Sequence, residues 1–277
     1  MKVGSYDVSI LEAERFRLDG GAMFGVVPKP LWSRSHPADD RNRIRMVARC
    51  LLARGEGRVV VIDTGMGGEW TDRERDIYAL EDTERSVAAA LAAKGVAPDD
   101  VTDVVFTHLH FDHAGGAVKG GAPAFPRARH HVQRDHLEWA LHPTERDRRS
   151  FREETFVPLR DAGLLSLAEG PAEILPGIAV DHTRGHTIGH QVVRIGEGPG
   201  SVVFCGDLIP TAAHLPAPWV MSYDLQPVLT MQEKTDLLSQ AADGRWILVM
   251  EHDPGHPAVT VGREGDRYVR SETVDIA

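Results

Sequence analysis

Two cysteines among 277 residues are too few for a disulfide framework, and both, Cys50 and Cys205, sit in apolar, strand-like runs that suit buried free thiols. No stretch approaches the roughly 18 consecutive apolar residues that a membrane span requires. The opening MKVGSYDVSILEAERF lacks a charged-then-apolar leader pattern, so a soluble, cytoplasmic protein without a membrane partner is expected. An excess of cations is missing as well. Lys and Arg number 31 against 41 Asp and Glu, a formal charge of −10, which disfavours nucleic acid as a partner and favours a neutral or apolar small molecule. Repeats and low-complexity tracts are also absent, which excludes solenoid architectures.

What is there is a chain of 42% hydrophobic content whose apolar periods switch between two and about 3.6 residues. That texture predicts one α/β domain over residues 1–277. A short strand is expected at Val8 to Leu11, then a long ordered loop from Gly20 to Arg43, too rich in large apolar groups to be a flexible linker. Strands at Ile44 to Ala53 and Arg58 to Ile62 flank the turn Gly55-Glu56-Gly57 and read as a hairpin ending in Asp63-Thr64-Gly65. Helical spacing follows over Glu81 to Lys94, a buried strand over Val101 to Phe106, a short strand and helix within His130 to Leu141, and a helix over Phe151 to Ala162. Further strands are predicted at Gly177 to Val180, Gln191 to Ile195, Ser201 to Cys205 and Trp246 to Met250. A second Pro-rich loop, Ile209 to Val228, precedes a helix over Met231 to Ala242, and the C-terminus reads as a short hairpin.

Three predicted strands end on a His or Asp just past an apolar run. The strand to Phe106 delivers Thr107 and then His108-Leu109-His110-Phe111-Asp112-His113, so one short loop presents three imidazoles and a carboxylate. Such donors suit zinc, which takes His nitrogen and carboxylate oxygen at about 2.0–2.2 Å. One loop cannot close two metal sites. Candidates for the missing ligands are His186 in Gly185-His186-Thr187-Ile188-Gly189-His190, Asp207 after Gly206, and His252 between Glu251 and Asp253. The other histidines, among them His130, His131, His136, His142, His182 and His256, fit no such pattern.

The order Asp63-Thr-Gly, HxHxDH, Gly-His, Gly-Asp and a final His resembles the metallo-β-lactamase superfamily along nearly the whole chain. The resemblance implies a four-layer αβ/βα sandwich binding two divalent metal ions, with zinc the first choice. His108, His110 and His186 would hold one metal, Asp112, His113 and His252 the other, and Asp207 would bridge them. Asp63, Thr107 and His190 would orient the ligands. The segments GGAMFGVVPKPLWSRSHPADDRNRI, THLHFDHAGG, PAFPRA and LPAPWVMSYD are similar to the YtnP-type lactonases, a branch of quorum-quenching N-acyl-homoserine lactonases. That likeness implies opening of an acyl lactone by a hydroxide shared between the metals, with Asp112 and Asp207 as catalytic carboxylates and Asp112 passing a proton to the leaving alkoxide. An apolar wall for the acyl chain is expected from Met23, Phe24, Val26, Leu31 and Trp32 in the first loop and Leu215, Trp219 and Met221 in the second.

The chain departs from the better-known lactonases at Pro210, where they place a Tyr three positions after the bridging Asp, and Tyr223 or His214 is the expected replacement. The alternative reading is an organophosphate triesterase of the methyl-parathion-hydrolase type, or a broad-specificity esterase, since both share the HxHxDH run, Gly-Asp-Leu and the final His. A glyoxalase-II-like thioesterase fits less well, because the C-terminus lacks a basic extension. A non-catalytic binder has no need of seven metal-coordinating groups. A homodimer is expected, because the apolar Gly20 to Arg43 loop would otherwise expose a large patch.

Overall fold

The structure, a computed structural model, describes residues 1–81 and 84–276. Among these, two seven-stranded sheets carry the fold. The first runs in the spatial order Lys2–Val3, Tyr6–Asp19, Arg43–Gly55, Arg58–Ile62, Asp103–Val105, Arg129–Gln133, Leu165–Ala168. The second runs Ala172–Leu175, Ile178–Thr183, His190–Ile195, Val202–Phe204, Ile247–Val249, Ala258–Glu264, Arg267–Thr273.

Side-chain alternation explains why the inner strands read as continuous apolar runs: those from Arg58–Ile62, Asp103–Val105, Val202–Phe204 and Ile247–Val249 are buried on both faces. Leu51, Ala53, Val60 and Ile62 point inward to meet Val202, Phe204, Ile247 and Val249 of the other sheet. Their neighbours Cys50, Leu52 and Val61 point outward to the layer containing the helices Val87–Ala93, Arg134–Leu141 and Val157–Asp161. Val203 and Leu248 point the opposite way, to the helix Pro227–Gly244. Helix, sheet, sheet, helix is the expected four-layer αβ/βα sandwich. Cys50 and Cys205 are buried and free, as expected, and no helix among the described residues is long and apolar enough to cross a membrane.

Several element boundaries differ from expectation. The first long strand spans Tyr6–Asp19 rather than stopping at Leu11, because a register shift between Glu12 and Arg15 breaks the alternation that marks a strand. The Gly20 to Arg43 segment contains two short helices, Gly20–Phe24 and Lys29–Trp32. The helix expected from Glu81 begins at Val87, where the Ser86 side chain accepts from the Ala89 N–H. Residues 82 and 83 of that expectation lie outside the described residues. The Phe151 to Ala162 helix shrinks to Val157–Asp161, and Met231 to Ala242 grows to Pro227–Gly244.

The topology sets up the site. Arg58–Ile62 is parallel to Asp103–Val105, and Val202–Phe204 is parallel to Ile247–Val249. The residues just beyond these four strands are Asp63, Thr107 with His108, Asp207, and His252, so two parallel pairs from different sheets discharge their chains into one place.

Candidate metal centre

At that shared edge the four segments predicted from sequence converge. The donor atoms of His108, His110, His186 and Asp207 lie within 4.8 Å of one another, as do those of Asp112, His113 and His252. Asp207 connects the groups: one carboxylate oxygen is 3.1 Å from His186 Nε2 and 3.6 Å from His113 Nε2, the other 3.1 Å from His252 Nε2. Asp112 is farther out, at 3.7 Å from both His113 Nε2 and His252 Nε2. All seven are buried.

The far nitrogen of most rings is already committed, which fixes which nitrogen faces the centre. His186 Nδ1 bonds Asp224 Oδ1 at 2.9 Å, His252 Nδ1 donates to the Val47 carbonyl at 2.8 Å, and His108 Nδ1 reaches Thr107 Oγ1 at 3.0 Å. Thr107 in turn donates its hydroxyl to Asp63 at 2.6 Å and its N–H to the same carboxylate at 2.7 Å. Asp63 holds a positive φ of 53°, a conformation that costs a non-glycine residue energy and is kept here by those bonds. His190 sits behind Asp207, accepting the Asp207 N–H at Nε2 and bonding Thr183 Oγ1 at Nδ1. Asp63, Thr107 and His190 therefore touch the backbones or rings of the proposed ligands.

What remains facing inward is a set of lone pairs with too few protons. His108 Nε2 is 2.9 Å from His110 Nδ1, itself 3.2 Å from His186 Nε2. Asp207 Oδ1, although 3.1 Å from His252 Nε2, is buried without a hydrogen bond of good geometry. Converging imidazole nitrogens around a buried carboxylate are the donor set a divalent cation satisfies. Protons do so only in part. Burial, then the neighbouring imidazoles, hold His108 and His110 well below the usual histidine range. Burial also works against charge on His186 and His252, yet Asp207 raises both to about 9. Asp207 itself, despite burial, is held well below the carboxylate range by His186, His113 and His252.

Several positioning groups escaped the sequence reading. His136 belongs to no motif, yet its Nε2 accepts the Leu109 N–H at 2.8 Å while Nδ1 donates to the Ile188 carbonyl at 2.6 Å, tying the two ligand loops together. Asp224, behind His186, lies inside the quoted LPAPWVMSYD stretch and could have been found there. Arg49 is buried and donates to the carbonyls of Met250, Glu251 and Asp253, bracing the turn that carries His252. Glu14 accepts the N–H groups of Met66 and Gly67 beside the Asp63-Thr-Gly turn, and burial pushes its carboxyl up to about 7. Glu251 is fully buried with its Oε1 3.0 Å from His113 Nδ1, the same nitrogen that meets Asp63 at 3.0 Å.

A cavity of about 200 Å³ opens on the centre. Its walls include His110, Asp112, His186, Asp207 and His252 together with Leu18, Met23, Tyr78, Phe111, Arg146, Arg149, Ser150, Met221 and Tyr223. Of the residues expected to line the substrate pocket, Met23, Met221 and Tyr223 face this cavity. Phe24, Trp32, His214 and Trp219 do not. Phe24 is stacked between Trp32, at 5.4 Å, and His214, at 4.7 Å, with Trp219 edge-on at 5.8 Å. Leu215 is buried against the helix layer, while Val26 and Leu31 are exposed. Aromatic groups in an ordered loop went to anchor it rather than to line the cavity.

Two consequences follow for the sequence reading. His214 cannot stand in for the missing Tyr, because its ring bonds Thr211 Oγ1 and the Met23 carbonyl away from the cavity, leaving Tyr223 as the phenol that faces it. The homodimer argument also loses its basis, since Met23, Phe24, Val27 and Trp32 bury their surface within the chain itself. Phe24→Ala is expected to cost about 3–5 kcal/mol of stability, the price of a large cavity in the stack. A urea midpoint that barely moves would show the stack to be dispensable.

Residues 44–252 match the family model described as the metallo-beta-lactamase superfamily. The chain belongs to the metallo-beta-lactamase superfamily. An N-acyl homoserine lactonase of Bacillus thuringiensis is 32% identical over 168 residues, 57% of this chain and 62% of that protein. The chain thus matches about three fifths of the length of that curated relative. A probable metal-dependent hydrolase from Staphylococcus aureus superposes with a TM-score of 0.89 at 32% identity, covering 99% of this chain and 100% of the other. An N-acyl homoserine lactone hydrolase with N-hexanoyl-L-homoserine bound at its catalytic metal centre superposes at 0.70 with 25% identity, covering 92% and 95%. Within the superfamily, then, the likeness to the Staphylococcus aureus hydrolase extends over the whole length.

Proposed function

We propose that this chain is a two-metal hydrolase that opens the lactone ring of N-acyl-homoserine lactones. The observation that carries the reading is the meeting of two buried donor groups on one carboxylate, Asp207, at the floor of a cavity with apolar and phenolic walls. His108, His110 and His186 would hold one ion, Asp112, His113 and His252 the other, and Asp207 both; the donors suit zinc. Two ions bound there supply Lewis acidity and a nucleophile at neutral pH. The protein's own residues supply the rest. Thr107, Asp63, Asp224 and the Val47 carbonyl hold the rings in one tautomer, so no reorganisation is needed on binding. Tyr223 presents its phenol to the substrate carbonyl in place of the residue lost at Pro210. Pro210 instead accepts the His252 N–H at its carbonyl and so braces a ligand. Asp112, at the cavity wall, carries a proton to the departing alkoxide. Leu18, Met23, Phe111 and Met221 form an apolar surface for an acyl chain.

The lactonase relatives named above support the lactone. The test is a panel of homoserine lactones of graded acyl length, set against aryl esters and paraoxon-like triesters, with metal content measured on the same sample. Close to two metals per chain and lactone rates well above those on aryl esters are expected. Equal rates on lactones and generic aryl esters would favour the broad esterase, and faster triester hydrolysis the organophosphate triesterase.

A further inference from the structure

The segment that roofs the cavity, Arg146-Asp147-Arg148-Arg149-Ser150-Phe151-Arg152, carries four arginines. Three of them are spoken for. Arg146 donates to the Ser222 and Asp224 carbonyls, strapping this segment to the second loop; Arg148 pairs with Glu145 at 2.6 Å. Arg152 pairs with Glu154 at 2.8 Å, donates to the Glu69 carbonyl and lies over the Trp70 ring. Arg149 has no hydrogen bond or ion pair among the described residues, and it is the one that, with Arg146, lines the cavity above the proposed metal ligands. Beside it the phenols of Tyr78 and Tyr223 face the same space and make no hydrogen bond among the described residues.

An unpaired guanidinium among unpaired phenols and apolar walls is a recognition surface for an anion, because the few polar groups left open in an apolar pocket set its specificity. A single free guanidinium matches one carboxylate in a two-point fork. A doubly charged phosphate monoester would call for more than one open cation. The overall charge of −10 concealed this: Asp112 and Asp207 lie among the metal-facing groups of the cavity, whereas Arg146 and Arg149 are its two cationic lining residues.

We propose that the pocket prefers an ester or lactone whose arm, remote from the scissile bond, bears a carboxylate, and that Arg149 is the specificity-determining cation that receives it. This rests on the reading of the site as an ester- or lactone-opening centre. It narrows the acyl-lactone class to members whose acyl arm carries a carboxylate. Tyr78 completes the carboxylate's hydrogen bonds as a donor, and Leu18, Met23, Phe111 and Met221 enclose the methylenes between carboxylate and ring.

The test compares N-hexanoyl-homoserine lactone with the analogue of equal length whose acyl chain ends in a carboxylate, both at low and high salt. A kcat/KM ratio favouring the anionic lactone by about five- to tenfold is expected, expressed in KM and shrinking with salt. In Arg149→Leu the ratio falls to about one, and in Arg149→Glu it inverts; Arg149→Lys retains part of it. Equal wild-type values for the two lactones, or a wild-type preference that Arg149→Leu leaves intact, would overturn the proposal. Hydrolysis of neither lactone would instead sink the lactone reading. The same charge comparison on neutral and carboxylate-terminated p-nitrophenyl esters then decides the role of Arg149 by the same two criteria.

Discussion

Asp207→Ala is expected to empty both metal positions and to reduce hydrolysis by on the order of 10²–10³-fold or more. Asp207 is the carboxylate that reaches both donor groups: its two oxygens lie 3.1 Å from His186 Nε2 on one side and 3.1 Å from His252 Nε2 on the other. The remaining donors are five imidazoles and Asp112, whose oxygens stand 3.7 Å from the nearest rings. Without Asp207 no carboxylate lies between the two sides, and cations placed there would repel across a buried gap with only Asp112 and Asp224, each at one side, to offset them. Metal analysis of dialysed protein should fall from close to two ions per chain to one or fewer. His108→Ala removes a donor from one side only and should lose chiefly that ion. A protein that keeps full activity without metal, or an Asp207→Ala variant that keeps both ions, would overturn the two-metal reading. Because Asp207 also anchors nothing in the sheets, the variant should still unfold cooperatively, which separates a lost centre from a lost fold.

The legible part of this centre was the part where chemistry and chain position coincide. His108, His110, Asp112 and His113 crowd one turn at the end of Asp103–Val105, and His186, Asp207 and His252 follow strands whose apolar alternation stops abruptly. Groups that act on those ligands from a distance left no such mark. His136 lies on a helix of its own and reaches the ligand loops only because Arg129–Gln133 pairs beside Asp103–Val105. Arg49 sits in the middle of a strand and looks like an exposed charge until its three carbonyl acceptors are seen. The sandwich itself was readable from doubly buried strands, whereas the Tyr6–Asp19 strand was underestimated because its bulge interrupts the alternation. Substrate-facing walls were the least readable. Composition says that Phe24, Trp32, Trp219 and His214 are large, not which way they point, and packing turned them into each other. Arg149 was overlooked because only the partners of its three neighbours show that it has none.

Glu251→Gln is expected to weaken metal binding at the His113 side by about 10- to 100-fold while leaving the His108 side and the metal-free fold nearly unchanged. The geometry is unusual: one imidazole nitrogen, His113 Nδ1, lies 3.0 Å from Asp63 and 3.0 Å from Glu251, and a single N–H satisfies one carboxylate at a time. Both Glu251 oxygens are buried without a hydrogen bond. Burial, reinforced by Asp63, pushes the Glu251 carboxyl up to about 8 against the pull of His113, which favours its neutral form in metal-free protein, while Glu251, Asp207 and Asp112 in turn raise His113. An amide is a close match to a neutral carboxylic acid, which is why folding should hardly notice the change. With a divalent cation on the opposite nitrogen of His113, the charged carboxylate becomes the favoured form and strengthens that ring as a donor. Glutamine cannot ionise, so the loss should appear only on metal binding. Competition with a chromophoric chelator resolves the two affinities, and the urea midpoint of chelator-treated protein reports the fold. A uniform weakening of both positions, or a large drop in metal-free stability, would mean that Glu251 merely fills space behind the centre.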